Sequence, residues 1–146
     1  MMIRDRKPTI LLIEDNPGDV RLTRKAIERG KIEAELVVAR DGVEAMAYLR
    51  REGRPAGVRL PDLVLLDLNL PKKDGREILA EIKQDPQLRA IPVIALTSSK
   101  SENDIARSYQ LHANSYIIKP SSWEEYERVI SAALAYWLGI AVLPER

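Results

Sequence analysis

The chain of 146 residues contains no cysteine, which excludes disulfides, thiolate metal sites and thiol nucleophiles. Its single histidine, His112, excludes any site needing two imidazoles from one chain. Phenylalanine is absent, and aromatic residues amount to only 5%. Neither sign of charge is in surplus: 23 Lys and Arg face 22 Asp and Glu, for a formal net charge of +1. A surface that coats nucleic acid needs a basic excess, so no direct nucleic-acid partner is expected. Long apolar runs are missing as well. Ile10–Ile13 is too short for the core of an export signal. The longest weakly polar stretch, Ala132–Leu143, is too short to cross a bilayer. No membrane partner is expected, and the chain reads as cytoplasmic.

What is present fits one domain with a real core, since 45% of residues are apolar and 31% charged. Short strand-type runs alternate with helical patterns five times. The strand candidates are Thr9–Ile13, Ala34–Ala39, Leu63–Leu66, Pro92–Leu96 and Tyr116–Ile118. Most are apolar throughout, as expected for a parallel sheet covered on both faces. Asn16 is placed to cap a helix whose first residue is Pro17 and which Gly30 ends. Val43, Met46, Ala47 and Leu49 lie largely on one side of a second helix, and Ile78, Leu79 and Ile82 do so in a third, opened by Asp74-Gly75. Ser101 is the expected cap of the fourth, closed by a left-handed Asn114. Ser122 and Glu125 form a capping box for the fifth, which is expected to run through Trp137. The pattern predicts an α/β fold, (βα)5, with one doubly wound five-stranded parallel sheet. Right-handed crossovers then put the ligand site at the carboxyl ends of the strands. Gly53–Pro61 reads as a long loop and Met1–Lys7 as a frayed terminus.

Polar residues collect where those strands end. Ile10–Ile13 runs into Glu14 and Asp15, Leu63–Leu66 into Asp67 and then Asn69, Val93–Leu96 into Thr97, and Tyr116–Ile118 into Lys119-Pro120. In a parallel sheet these ends share one edge, so three carboxylates, a hydroxyl and an ammonium converge there. Carboxylates side by side repel one another and should hold a cation. With no cysteine or second histidine, all-oxygen ligation points to Mg2+ or Mn2+.

At these residues the chain resembles the receiver domains of two-component response regulators, over about residues 8–138, leaving 139–146 as a short C-terminal extension. The resemblance rests on Glu14-Asp15, Asp67, Thr97 and Lys119-Pro120, in the family's order and at compatible spacings. The stretches 14–23 and 67–75 look like those of small single-domain regulators paired with bacterial phytochromes. The resemblance implies the flavodoxin-like receiver fold with strand order 2-1-3-4-5. It implies that Asp67 is the phosphoacceptor, taking a phosphoryl group from a sensor histidine kinase through a loose, charge-demanding transition state. Asp15 would bind Mg2+ directly, Glu14 mainly through water, and Asn69 through its backbone carbonyl. Lys119 would pair with Asp67 and then with the phosphoryl oxygens, and Thr97 would donate its hydroxyl to them. Tyr116 matches the switch aromatic, and the Lys119–Pro120 bond is expected to be cis. The chain departs from the family in having Glu-Asp where Asp-Asp is usual, and in resting its aromatic switch on a tyrosine.

Other readings exist for each residue. Asp67 could be a turn former, although Leu68 and Leu70 do not look like a capped helix start. Glu14 and Asp15 could simply favour the positive end of the following helix. His112 reads as a helix-end residue, and Lys72-Lys73 as a solvated pair. A Mg2+-dependent phosphatase with an aspartyl nucleophile would need a second Asp at position 69, where the chain has Asn. A pseudo-receiver, a binding module that takes no phosphate, typically lacks the acceptor or the lysine, and both are present. A flavin mononucleotide protein would share the architecture, but the acidic loop 15–19 would repel the cofactor. With the length used up by one domain, output is expected through contact with another protein. The last helix carries a stripe of Trp123, Tyr126, Ile130, Ala133 and Trp137, with Val129, Ala132, Tyr136 and Ile140 on neighbouring faces. That is more apolar surface than one layer covers, and it predicts a homodimer through the fourth helix, fifth strand and fifth helix.

Overall fold

The computed structural model describes residues 7–50, 57 and 59–144. Strands β1 (Thr9–Ile13), β2 (Glu35–Ala39), β3 (Leu63–Asp67), β4 (Val93–Thr97) and β5 (Ser115–Ile118) form one parallel sheet in the order β2-β1-β3-β4-β5. Helices α1 (Pro17–Arg29), α2 (Gly42–Leu49), α3 (Gly75–Gln84), α4 (Glu102–Gln110) and α5 (Trp123–Ala135) alternate with them. This is the (βα)5 architecture and strand order expected from the sequence.

The continuous apolar runs of the strands are two interleaved patterns of period two, one for each face of the sheet. Leu11, Ile13, Val64, Leu66, Val93 and Ala95 meet Met46 and Leu49 of α2 and Ile78, Leu79 and Ile82 of α3. Ile10, Leu12, Leu63, Leu65, Ile94 and Leu96 meet Ala26 of α1 and Tyr126, Ile130 and Leu134 of α5. The helices start where side-chain oxygens satisfy their first free N–H groups. Asn16 Oδ1 accepts from Gly18 and Asp19, Asp41 from Glu44, Asp74 from Arg76, Ser101 from Asp104, and Ser122 from Glu125.

Several local expectations are corrected. Gly30 ends α1 as expected, although in a right-handed conformation, and the left-handed turn falls to Lys31, at φ 52°. After α4 the left-handed residue is His112, at φ 74°. Asn114 is engaged elsewhere: its Oδ1 accepts from Val93 N at 2.8 Å, and its own N–H donates to Val93 O at 2.9 Å. In α2, Val43 is 62% exposed, while Ala45 and Tyr48 are buried with Met46 and Leu49. The start at Gly42 turns those four positions inward. Lys72 and Lys73 are not merely solvated, since Lys72 pairs with Asp41 and Lys73 with Glu81. Helix α5 ends at Ala135, and the chain goes on as a π-helical turn, Tyr136–Ile140, closed by Ala141 N donating to Tyr136 O at 2.8 Å. Of the expected loop Gly53–Pro61, most lies outside the described residues, as do residues 1–6.

Gly75, the first residue of α3, lies directly under the end of β3. A Cβ there would stand 2.5 Å from Leu68 Cα and 2.7 Å from the Asp67 carbonyl oxygen, both backbone atoms that cannot turn away. Gly75→Ala is expected to lower stability by about 2 kcal/mol. Gly139→Ala, where nothing lies within 4 Å, should leave it nearly unchanged. Urea unfolding of the two variants checks the contrast.

Candidate functional site

Strand register brings the polar strand ends into one row. Ile13 pairs with Leu66, Asp67 with Leu96, and Thr97 with Ile118, so Glu14, Asp67, Thr97 and Lys119 stand along the carboxyl edge. The Lys119 N–H donates to Thr97 O at 2.8 Å, which continues the ladder of β5 by one bond. Its side chain then reaches past β4 to the ends of β3 and β1. The ammonium donates to Asp67 Oδ2 at 3.1 Å, Glu14 Oε1 at 3.0 Å and Asp19 Oδ2 at 2.9 Å. An ammonium has three N–H groups, and all three are used on carboxyl oxygens. The expected cis bond before Pro120 is absent: no cis peptide occurs among the described residues, so Lys119–Pro120 is trans. The lysine is aimed by the strand bond to Thr97 and by its three anionic partners, without the help of a cis turn.

The other predicted residues fall around this centre. Asp67 is 4% exposed, and its Oδ1 accepts from Asn69 N at 2.9 Å. Glu14 is fully buried, and its Oε2 accepts from Asn16 N at 3.2 Å. Asp15 is exposed at the mouth. Thr97 is buried, and its Oγ1 accepts from Asn69 Nδ2 at 3.1 Å and from Ser99 N at 3.2 Å. The Asn69 side chain is therefore a partner of the Thr97 hydroxyl, a contact its sequence position does not reveal. Tyr116, half-buried, donates its hydroxyl to Ser99 O at 3.1 Å, and Ser99 Oγ donates to Asp104 Oδ2 at 2.7 Å. Ser99 thus links Thr97, Tyr116 and α4.

The sequence reading counts Asp19 only as part of an acidic loop and gives it no role at the site. It lies in the first turn of α1, where an acidic residue is ordinary because it favours the helix dipole. Only the return of Lys119 across the edge brings it into the site.

The acidic set fits a hard divalent cation. Oxygen atoms of Glu14, Asp15 and Asp67 lie within 4.8 Å of one another, with no nitrogen or sulfur donor among them. Burial, together with the hydrogen bond and charge of Asp67, pushes the Glu14 carboxyl up to about 8 against the pull of Lys119. Such a group holds a proton where a cation would otherwise sit. Burial opposes the charge on Lys119, but its hydrogen bond to Asp19 and the charges of Glu14 and Asp67 outweigh it and hold the ammonium protonated beyond the ordinary lysine range.

A parallel α/β sheet with an acidic trio, a buried hydroxyl and a lysine at its carboxyl edge is the arrangement of the receiver class. Residues 10–131 match the response regulator receiver domain family, and the chain belongs to that family. Response regulator Rcp1 of Synechocystis sp. is 45% identical over 135 residues, 92% of each chain. Among solved structures, the phosphorylated cyanobacterial phytochrome response regulator RcpA is 50% identical with a TM-score of 0.90, covering 95% of this chain and 99% of that one. The Mn2+-bound form of Rcp1 is 44% identical with a TM-score of 0.88, covering 94% and 99%. No helix among the described residues is long and apolar enough to cross a membrane.

The raised carboxyl of Glu14 sets a pH dependence. The folded, metal-free protein keeps a proton between 4.5 and about 8 that the unfolded chain releases, so its stability falls as pH rises through that window. A divalent cation held at this trio would displace the same proton, so affinity for it should climb with pH and level off above about 8. Mg2+ titrations followed by tryptophan fluorescence, with unfolding at matched pH, check both. Glu14→Gln should flatten both curves.

Proposed function

We propose that this receiver takes a phosphoryl group from a sensor histidine kinase onto Asp67 and signals through contact with another protein. The observation that carries this reading is the Lys119 ammonium, held between the carboxylates of Asp67 and Glu14 beside the acidic trio. The Asp67 carboxylate attacks phosphorus, a P–O bond forms, the P–N bond of phosphohistidine breaks, and the imidazole departs. Lys119 turns from the Asp67 carboxylate to the phosphoryl oxygens, whose charge needs neutralising in the loose transition state. Glu14, Asp15 and Asp67, with the backbone carbonyl of Asn69, would hold Mg2+, whose charge adds to that of the lysine. Water attack at the same phosphorus breaks the P–O bond to Asp67, releases inorganic phosphate and returns the carboxylate to its resting form.

Thr97 has one proton to donate, and its bond to a phosphoryl oxygen would draw in the loop after β4. That loop carries Ser99, so the Tyr116–Ser99 hydrogen bond breaks and the ring is free to turn inward. The altered surface lies on α4, β5 and α5, as a population shift between two packings. A phosphatase of the aspartyl-nucleophile type would need a general acid at position 69. The Asn69 amide cannot release a proton there and is used on Thr97, which supports reading the chain as a switch and not as an enzyme.

The receiver unit spans residues 8–138, with 139–146 as an extension. The name of RcpA, a cyanobacterial phytochrome response regulator, supports a phytochrome kinase as the input. Along the end of α5 and beyond it, Tyr136, Ile140 and Val142 are 50%, 73% and 80% exposed. With Tyr109 and Trp123, also exposed, they support a homodimer through α4, β5 and α5. Sedimentation at tens of micromolar should give a dimer, and Ile140→Asp with Val142→Asp should give a monomer.

Intact mass after incubation with acetyl phosphate tests the main reading. One phosphoryl group should appear on the natural protein with Mg2+ present, and none on Asp67→Asn or without Mg2+. A phosphoryl group on Asp67→Asn would place the acceptor elsewhere. No addition to folded natural protein would make the chain a pseudo-receiver.

A further inference from the structure

The three acceptors of Lys119 are not alike. Glu14 and Asp67 belong to the acidic group that fits a cation, and Asp67 is also the proposed acceptor, so both must change partners during the reaction. Asp19 belongs to neither set: it is outside the trio and has no chemistry of its own. Its Oδ2 nevertheless makes the shortest of the three bonds, at 2.9 Å, from a side chain that is 24% exposed. Two local contacts fix it. Asp19 sits in the first turn of α1, its N–H donates to Asn16 Oδ1 at 3.1 Å, and its carbonyl accepts from Thr23 Oγ1 at 2.9 Å. A cavity of about 110 Å³ opens beside the pair, lined among others by Leu22, Pro120, Trp123 and Tyr126. The long lysine chain has room to swing there when its bonds to Glu14 and Asp67 are released.

We infer that Asp19 is a positioning residue for Lys119. It retains one N–H of the ammonium while Glu14 and Asp67 exchange partners, so that the other two N–H groups stay aimed at the phosphoryl group. Without it the ammonium would drift into the cavity, and each phosphoryl transfer would wait for its return. The inference rests on the proposed role of Lys119 at Asp67.

The test is a double-mutant cycle of Asp19→Ala and Lys119→Ala, read as the initial rate of acetyl phosphate labelling and as Mg2+ affinity from tryptophan fluorescence. The Asp19 carboxylate hydrogen-bonds to nothing but Lys119 among the described residues, so alanine there spares the fold, and cooperative unfolding confirms it. Asp19→Ala alone should slow labelling roughly tenfold, with Mg2+ affinity changed by less than about twofold. In the Lys119→Ala background it should add no further loss. An equal additional loss in that background would overturn the inference, because Asp19 would then act without the lysine. So would an unchanged or faster rate, or a fall in Mg2+ affinity as large as the fall in rate. If Lys119→Ala itself labels at the natural rate, the reading of the whole site fails, a result distinct from failure at Asp19 alone.

Discussion

One cation among four carboxylates is the constraint around which the carboxyl edge is organised. Glu14, Asp15, Asp19 and Asp67 crowd the ends of β1 and β3 and the start of α1, and among the described residues Lys119 is the only cation bonded to them. Leaving even one such carboxylate buried and unpaired would cost several kcal/mol. The fold meets this in two ways. It spends all three N–H groups of the ammonium on the carboxylates, and it lets Glu14 keep its proton up to about 8. Neither device would work if the strands slipped by one residue, because each side chain would then turn into the opposite layer. The buried apolar positions of β1, β3 and β4, alternating between two cores, hold that register.

The parts of the molecule legible in the sequence are those set by neighbours along the chain. Asn16, Asp74, Ser101 and Ser122 cap helices because a side-chain oxygen two or three residues from an N–H meets it whatever lies beyond. The strand ends were legible because apolar runs stop abruptly at charge. What the pattern misses depends on tertiary partners. Asn114, a good left-handed residue, is taken by Val93 across the sheet, and the strained position falls to His112. The inward face of α2 depends on where Gly42 starts the helix against the sheet, which periodicity over one short helix does not resolve. Asp19 and the Asn69 side chain are ordinary by local rules. Their roles come from Lys119 and Thr97, distant in sequence by 100 and 28 residues.

Around Ser99 the structure links chemistry to surface with few atoms. Its N–H, carbonyl and hydroxyl each serve a different partner: Thr97, Tyr116 and Asp104. Asp104 is also paired with Arg76 of α3 at 3.3 Å, so the loop after β4 is tied to both flanking helices. A displacement of the loop cannot leave all of these bonds intact, and that makes two discrete arrangements more natural than a graded drift.

The Thr97 hydroxyl has a consequence for what the switch can sense. Both of its lone pairs are occupied, by Asn69 Nδ2 and Ser99 N, so the oxygen has nothing left to offer a positive charge. Its remaining proton answers only to an electron-rich atom. A cation settling among the carboxylates alone therefore gives the loop nothing to close upon. In the proposed switch, the Thr97 hydroxyl would be blind to an ion that prepares the site and would respond to the anion that follows.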